Sequence, residues 1–428
     1  MSQFDHPRDE ILHAMARIYS YRMTTTSGGN LSIREPNGDI WITPARVDKG
    51  GLRRDDIVLV RADGSVDGTR LPSSELPLHQ AIYRARPDLR GIVHAHPVAL
   101  VAFSLVRRIP NTRLFHKTRE VCGEGAFATY EVPGSEALGR TVAGSFAQGS
   151  NSVILENHGV VTAGASLQQA FQRFETFEFT GKTIIKALLL GNKIDYLTDD
   201  QIKRAAAPRP AFPELDEEPP SSKEKELRRS LSQFVLRAYR QRLFISTQGS
   251  FSLRLDPSSF LITPHLADRN AICAEQVVLV RGGRVKAGET PSYACNLHSA
   301  IYRDHPDVGA IINAYPVNAT AFSITGTELD TRTIPESYVV VRRPATVPYG
   351  LQFDAPDVVS QQLTSDTPAL VLQGDGVLVT GKDALEAFDR LEVLESTAEA
   401  LINARPLGAL SPMSEEAIRE LDSVFFNK

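Results

Sequence analysis

The chain has only three cysteines in 428 residues, Cys122, Cys273 and Cys295. They are too few and too scattered for a disulfide framework or a thiolate metal site, and reduced packing residues are expected. Charge of one sign is also missing: 47 basic and 51 acidic residues leave a net charge of -4, so there is no basic excess to attract a nucleic acid. No apolar run approaches the roughly 20 residues that cross a bilayer. The start, Met1-Ser-Gln-Phe-Asp-His-Pro7, lacks a charged-then-apolar signal pattern. A cytoplasmic protein with a small-molecule partner, and neither nucleic acid nor membrane, is expected.

Histidine is sparse too, ten in all, so a chance His-x-His is expected on the order of 0.2 times in such a chain. One is present, His94-Ala-His96, within Gly91-Ile-Val-His-Ala-His-Pro97. In a strand, residues i and i+2 face the same way, which would point both imidazoles in one direction. His158, in Leu155-Glu-Asn-His-Gly159, offers a third. Three imidazoles and an open position make a catalytic site for a divalent metal.

The chain matches itself. Gly29-Asn-Leu-Ser-Ile-Arg34 recurs as Gly249-Ser-Phe-Ser-Leu-Arg254 and Ile42-Thr-Pro44 as Ile262-Thr-Pro264, both at a shift of 220. Leu78-His-Gln-Ala-Ile-Tyr-Arg84 recurs as Leu297-His-Ser-Ala-Ile-Tyr-Arg303 at a shift of 219, and His158-Gly-Val160 lies opposite Asp375-Gly-Val377 at 217. Ordered matches at a nearly constant shift mean two copies of one fold. We expect domains over 1–204 and 226–428, joined by a linker over 205–225 that contains Pro208, Pro210, Pro213, Pro219 and Pro220. Short β-branched runs at Asp39-Ile-Trp-Ile-Thr43, Ile57-Val-Leu-Val60 and Val153-Ile-Leu155 predict strands. Helices are predicted from Ser73 to about Arg86, stopped by Pro87, and from about Ser166 to Leu190. Each copy is therefore expected to be a mixed α/β layer domain.

The second copy is an internal control for which residues are structural. Opposite His94, His96, Glu75 and His158 stand Asn313, Tyr315, Ala294 and Asp375, whereas His79 keeps His298 and Tyr83 keeps Tyr302. Four candidate site residues changed together while a histidine with no expected tie to metal stayed. Core histidines satisfied by hydrogen bonds would not change as a set.

The ordered set Gly29-Asn30, Ile42-Thr-Pro44, Ser73-Ser-Glu75, His94-Ala-His96 and Glu156-Asn-His-Gly159 resembles the class II aldolase/adducin family, over most of residues 8 to 190 and, weakened, over about 228 to 404. The resemblance implies two tandem copies of an α/β/α domain, and a Zn2+ held by His94, His96 and His158. Fe2+, Mn2+ and Co2+ suit the same imidazoles. It also implies that Glu75 is the general base, working beside a metal that acts as Lewis acid and stabilises an enediolate. As a plain alternative, Glu75 is an acidic residue in a helix's first turn, favoured there by the dipole. Gly29, Asn30, Ser73 and Ser74 match the family's substrate-phosphate site; a serine here equally serves as an N-cap.

Two departures bear on substrate and acid. Ala45-Arg46 replaces the family's phosphate-binding Thr-Gly pair. Arg46 is expected at the substrate, where a guanidinium pairs with phosphate or carboxylate or else crowds the pocket. Several family aldolases place an acidic tyrosine roughly twenty residues beyond His-x-His; here Phe115 and His116 stand at that distance. His116 replaces that acid or is a surface histidine, with Tyr130 a second candidate.

The expected function is a metal-dependent lyase that cleaves a small hydroxy-carbonyl compound by retro-aldol reaction or a related decarboxylation. The alternatives are an epimerase or dehydratase of the same family, an Fe(II)-dependent oxygenase on a keto acid, and a non-catalytic adducin-like scaffold. The second copy is expected to be a pseudo-enzyme domain standing for every second subunit in a pseudo-four-fold ring made by a homodimer. In such a ring Arg254, Tyr338, Arg342 or Arg343 could reach the substrate.

Overall fold

Alternate side chains along Gly91-Ile-Val-His-Ala95 serve two different cores. Val93 and Ala95 pack with Ile11, Met15, Phe174 and Phe177, while Ile92 packs with Leu78, Ile82, Leu138 and Val142. A strand buried on both faces implies helices above and below the sheet. The computed structural model describes residues 6–207, 211–216 and 218–426. Its chain packs as two compact units, one up to Arg113 with Lys117–Lys182, the other Leu114–His116 with Thr183 onward.

The first unit is built on eight strands: β1 (Asn30–Arg34), β2 (Ile40–Ile42), β3 (Val58–Val60), β4 (Val66–Asp67), β5 (Gly91–Ala95), β6 (Ala126–Ala128), β7 (Ser152–Leu155) and β8 (Gly159–Gly164). Their order is β4-β3-β2-β1-β5-β8-β7-β6, antiparallel throughout except for the parallel pair β6 and β7. Helix α1 (Pro7–Ser20) and the aromatic face of Leu167–Leu190 cover one side; α2 (Leu76–Ala85) and Glu136–Ala147 cover the other. Each buried Phe, Ile or Leu of these layers contributes about 1.5–3 kcal/mol. Helix α2 starts at Leu76, later than the predicted Ser73, because Ser73 N–H donates to Thr43 O at 3.1 Å. Residues 73–75 are thereby held in a turn against the end of β2.

The second unit repeats this order with seven strands: Val278–Arg281, Ser259–Ile262, Ser250–Asp256, Ala310–Ala314, Gly376–Gly381, Ala369–Leu372 and Ala345–Val347. Its last pair is again the parallel one. Ser222–Arg240, Cys295–Asp304 and Ala384–Ala404 take the places of α1, α2 and Leu167–Leu190. The chain is thus two tandem α/β/α domains.

Val285–Lys286, the counterpart of β4, pairs in parallel with Glu214–Leu215 from the expected linker. Phe212 packs on the same core. Pro208 and Pro210 of the expected linker lie outside the described residues. Residues 192–204, expected in the first domain, are tied inside the second unit: Asp195 N–H donates to Ile324 O at 2.8 Å and Asn192 Nδ2 to Thr327 Oγ1 at 2.6 Å. Among the described residues, no helix is long and apolar enough to cross a membrane.

Candidate metal centre

Strand β5 lies between β1 and β8, with His94 opposite Asn30 on one side and Val161 on the other. His94 shares the face of Ile92, toward α2, and Glu75 stands at the N-cap of that helix. His158 comes from the turn joining β7 to β8, where Asn157 adopts φ 53°, a left-handed conformation that Asn tolerates. Two glycines let the backbone close around the imidazoles. A Cβ on Gly29, whose φ is 71°, would meet His94 O at 2.8 Å; one on Gly159 would meet Ala95 O at 2.5 Å and His96 Cδ2 at 2.7 Å.

The three imidazoles form a nearly equilateral group, with ring centroids 4.9 Å (His94 to His96), 4.8 Å (His94 to His158) and 4.9 Å (His96 to His158) apart. One ring nitrogen from each lies within 4.8 Å of the others. His94 Nδ1–H donates to Val160 O at 3.0 Å, which leaves its Nε2 lone pair facing His96 Nε2 at 3.2 Å and Glu75 Oε2 at 3.0 Å. Lone pairs and a carboxylate converging on one point repel each other unless a cation lies among them. A ring fixed through Nδ1 by a backbone carbonyl is the usual orientation of a metal-binding histidine. These residues fit a divalent metal.

The electrostatics agree. Burial lowers His96 to about 3 and His158 to about 4, with the neighbouring imidazoles adding to the effect, so both stay neutral and keep a free lone pair. Burial alone would raise the Glu75 carboxyl. Against the effect of burial, Glu75 in turn raises His94, so a positive charge at His94 Nε2, a proton or a metal cation in its place, together with the hydrogen bond from Asn30 and with His158, holds the carboxyl well below the usual carboxylate range.

Asn30, expected at a substrate phosphate, holds Glu75: its Nδ2 donates to Glu75 Oε2 at 2.7 Å. Its Oδ1 accepts from His79 Nε2 at 2.5 Å, and His79 Nδ1 accepts from Ser32 Oγ at 2.6 Å. Burial pushes His79 to about 3, so it is neutral with its proton on Nε2. Its expected lack of any tie to the metal site is therefore corrected, because His79 reaches Glu75 through one amide. Its retention in both copies marked it as structural and concealed this.

A pocket of about 190 Å³ opens beside the cluster, lined by Gly29, Asn30, Arg46, Ser73, Ser74, Glu75, His96 and His158, and also by Ser27, Pro44, Lys49 and Pro133. Sequence reasoning missed Lys49. Ser73 Oγ accepts from Glu75 N–H at 3.3 Å, and Ser74 is exposed. Arg46 is exposed with φ 54°, in the left-handed region that a glycine adopts without strain.

His116 belongs to the second unit. It is buried against Tyr293, Tyr349 and Phe353, with Nδ1 3.7 Å from Asp375 Oδ1, and it is therefore not a surface histidine. Tyr130 is exposed, and its N–H donates to Glu156 Oε2 at 3.0 Å. Arg254 donates to the carbonyls of Tyr302, Val308 and His305. Arg342 pairs with Asp366 and Asp422, and Tyr338 donates to Asp422. These second-unit side chains are engaged where they stand.

At the corresponding place in the second unit, Tyr315 OH donates to Asp375 Oδ1 at 2.9 Å, Gln352 Nε2 to Asp375 Oδ2 at 3.0 Å, and His298 Nε2 to Asn313 Oδ1 at 2.7 Å. Donors meet acceptors there, and no lone pairs are left converging. Among the described residues, His94, His96 and His158 are the only group of three or more such side chains placed to hold a metal.

The family model for the class II aldolase and adducin N-terminal domain matches residues 9–185 and again 229–402. The 3-oxo-tetronate 4-phosphate decarboxylase of Haemophilus influenzae is 30% identical over 204 residues, 46% of this chain and 96% of that protein. The L-fuculose phosphate aldolase of Methanococcus maripaludis strain C7 is 33% identical over 162 residues, 38% of this chain and 86% of that protein. Among solved structures, YgbL from Escherichia coli aligns with a TM-score of 0.43 at 28% identity, covering 46% of this chain and 95% of that one. With its model matched twice over most of the sequence, this chain belongs to the class II aldolase and adducin family.

Proposed function

We propose that the chain is a metal-dependent lyase that breaks a carbon–carbon bond in a small hydroxy-carbonyl compound, by retro-aldol cleavage or a related decarboxylation. The observation that carries this is the convergence of His94, His96, His158 and Glu75 beside a pocket. His94, His96 and His158 would hold a divalent cation, which when bound would supply Lewis acidity to the site. Glu75 handles the proton. Its Oε2 accepts from Asn30 and lies 3.0 Å from His94 Nε2, while its buried Oε1 has no hydrogen-bond partner and lies 3.7 Å from His158 Nε2. Oε1 is therefore the atom free to take or return a substrate proton. The relay from Ser32 through His79 and Asn30 fixes the carboxylate's orientation. The second domain, with Asn313, Tyr315, Asp375 and Ala294 at the matching positions, serves as a non-catalytic companion.

The test is turnover on a short panel that includes L-fuculose 1-phosphate and 3-oxo-tetronate 4-phosphate, the compounds named for its relatives. Release of aldehyde or CO2, abolished by a chelator and restored by Zn2+, Fe2+, Mn2+ or Co2+, is expected. Oxygen uptake by the Fe2+ form, without such cleavage, would instead point to the oxygenase alternative.

A further inference from the structure

Lys49 follows the Ile-Thr-Pro turn and is only 3% exposed, yet it lines the pocket together with Glu75, His96 and His158. Its Nζ donates to Pro44 O at 2.7 Å. An ammonium has three N–H donors, so two remain. Among the described residues no carboxylate pairs with it, and burial, with nothing opposing it, lowers the amine to about 8. A buried cation with free donors at the wall of a cavity is costly unless an anion meets it there.

The second unit shows what a purely structural cation looks like at this place. Arg269, the counterpart at a shift of 220, is also buried, and its guanidinium donates to the carbonyls of Gly249 at 2.9 Å, Pro264 at 3.2 Å and Ala267 at 2.8 Å. The loop needs one donor on the Pro44 or Pro264 carbonyl. Lys49 meets that need with one of its three N–H donors, and it lines the pocket. Arg46 brings a second positive charge to the same pocket, where the second unit has Leu266 with the same left-handed backbone.

We propose that Lys49 is a specificity-determining residue of this pocket, its ammonium binding an oxyanion of the substrate, a carboxylate or a phosphate, with Arg46 at the rim. This rests on the pocket being the active site proposed above, and it deepens that function by requiring an acidic substrate.

Calorimetric titration of the metal-replete chain with inorganic phosphate, and separately with malonate, tests it. One anion per chain is expected. Tighter phosphate binding assigns the site to a phosphate, and tighter malonate binding to a carboxylate. Lys49→Gln keeps a donor for Pro44 O but loses the charge, so at least tenfold weaker binding is expected with metal content and melting temperature unchanged. Binding within twofold of wild type in that variant overturns the proposal. Should the variant fold poorly, the wild-type chain decides the matter: the Lys49 side-chain ammonium resonance should shift on adding phosphate or malonate, and a resonance indifferent to both overturns the proposal. A wild-type chain that holds no metal contradicts the lyase function and still leaves this titration to judge Lys49.

Discussion

Asn30 Nδ2 donates to Glu75 Oε2 at 2.7 Å, so an amide fixes the carboxylate that faces the three imidazoles. If Glu75 moves the proton, Glu75→Gln should keep the metal and lose turnover by about 10²- to 10⁴-fold, the usual worth of a positioned acid-base group. Steady-state kinetics beside elemental analysis of the same preparation checks this. Full activity in the variant would remove Glu75 as the base.

His79 acts one step further back. His79→Phe leaves Asn30 Oδ1 without its donor, at about 1–3 kcal/mol, while Ser32 Oγ keeps Tyr83 OH at 2.8 Å. Denaturant unfolding should show that loss. Metal content should hold, and kcat should fall more than KM changes, because the residue orients Glu75 and touches no substrate. A destabilised variant with unchanged kcat would reduce His79 to a core histidine.

The two domains should share one pH response. Burial lowers His79 to about 3 and His298 to about 4, from the ordinary 6.5. Between those values and 6.5 the unfolded chain binds more protons than the folded one, so stability is present above pH 6.5 and is lost as pH falls toward 4. The slope is about 1.4 kcal/mol per pH unit for each histidine. Denaturant midpoints from pH 7 to 4.5 measure it. Replacing His298 with Gln should remove its share, and an unchanged slope would contradict the assignment.

In the second domain, Tyr315→Phe takes a donor from buried Asp375. A fall of about 1–3 kcal/mol in stability is expected, with metal stoichiometry untouched. Loss of metal from this variant would mean that the second domain supports the metal site.

Much of this was legible in the sequence because the molecule carries its own comparison. The shift of 217 to 220 exposes His94, His96, His158 and Glu75 as residues that changed together, and alternation along Gly91–Ala95 gives His94 its face. The same comparison hid His79, since a residue that supports both folds does not differ between copies. Lys49 was hidden for another reason: it lies in a loop without periodicity, where burial depends on how the turn after Pro44 folds back. His116 was expected, from its distance beyond His94-Ala-His96, to be an acid or a surface histidine; it is buried, and its neighbours Tyr293, Tyr349 and Phe353 are remote in sequence, so no local pattern announces them. The start of α2 moved because a backbone hydrogen bond to Thr43, a tertiary contact, outweighed the helix signal at Ser73.

The most direct measurement is the metal content of the full chain, purified without a histidine tag, beside a His94→Ala/His96→Ala variant. One divalent metal per chain, lost in the variant, is the predicted result. No metal in either protein after reconstitution, or two per chain with one surviving the double substitution, would contradict a single competent centre in the first domain.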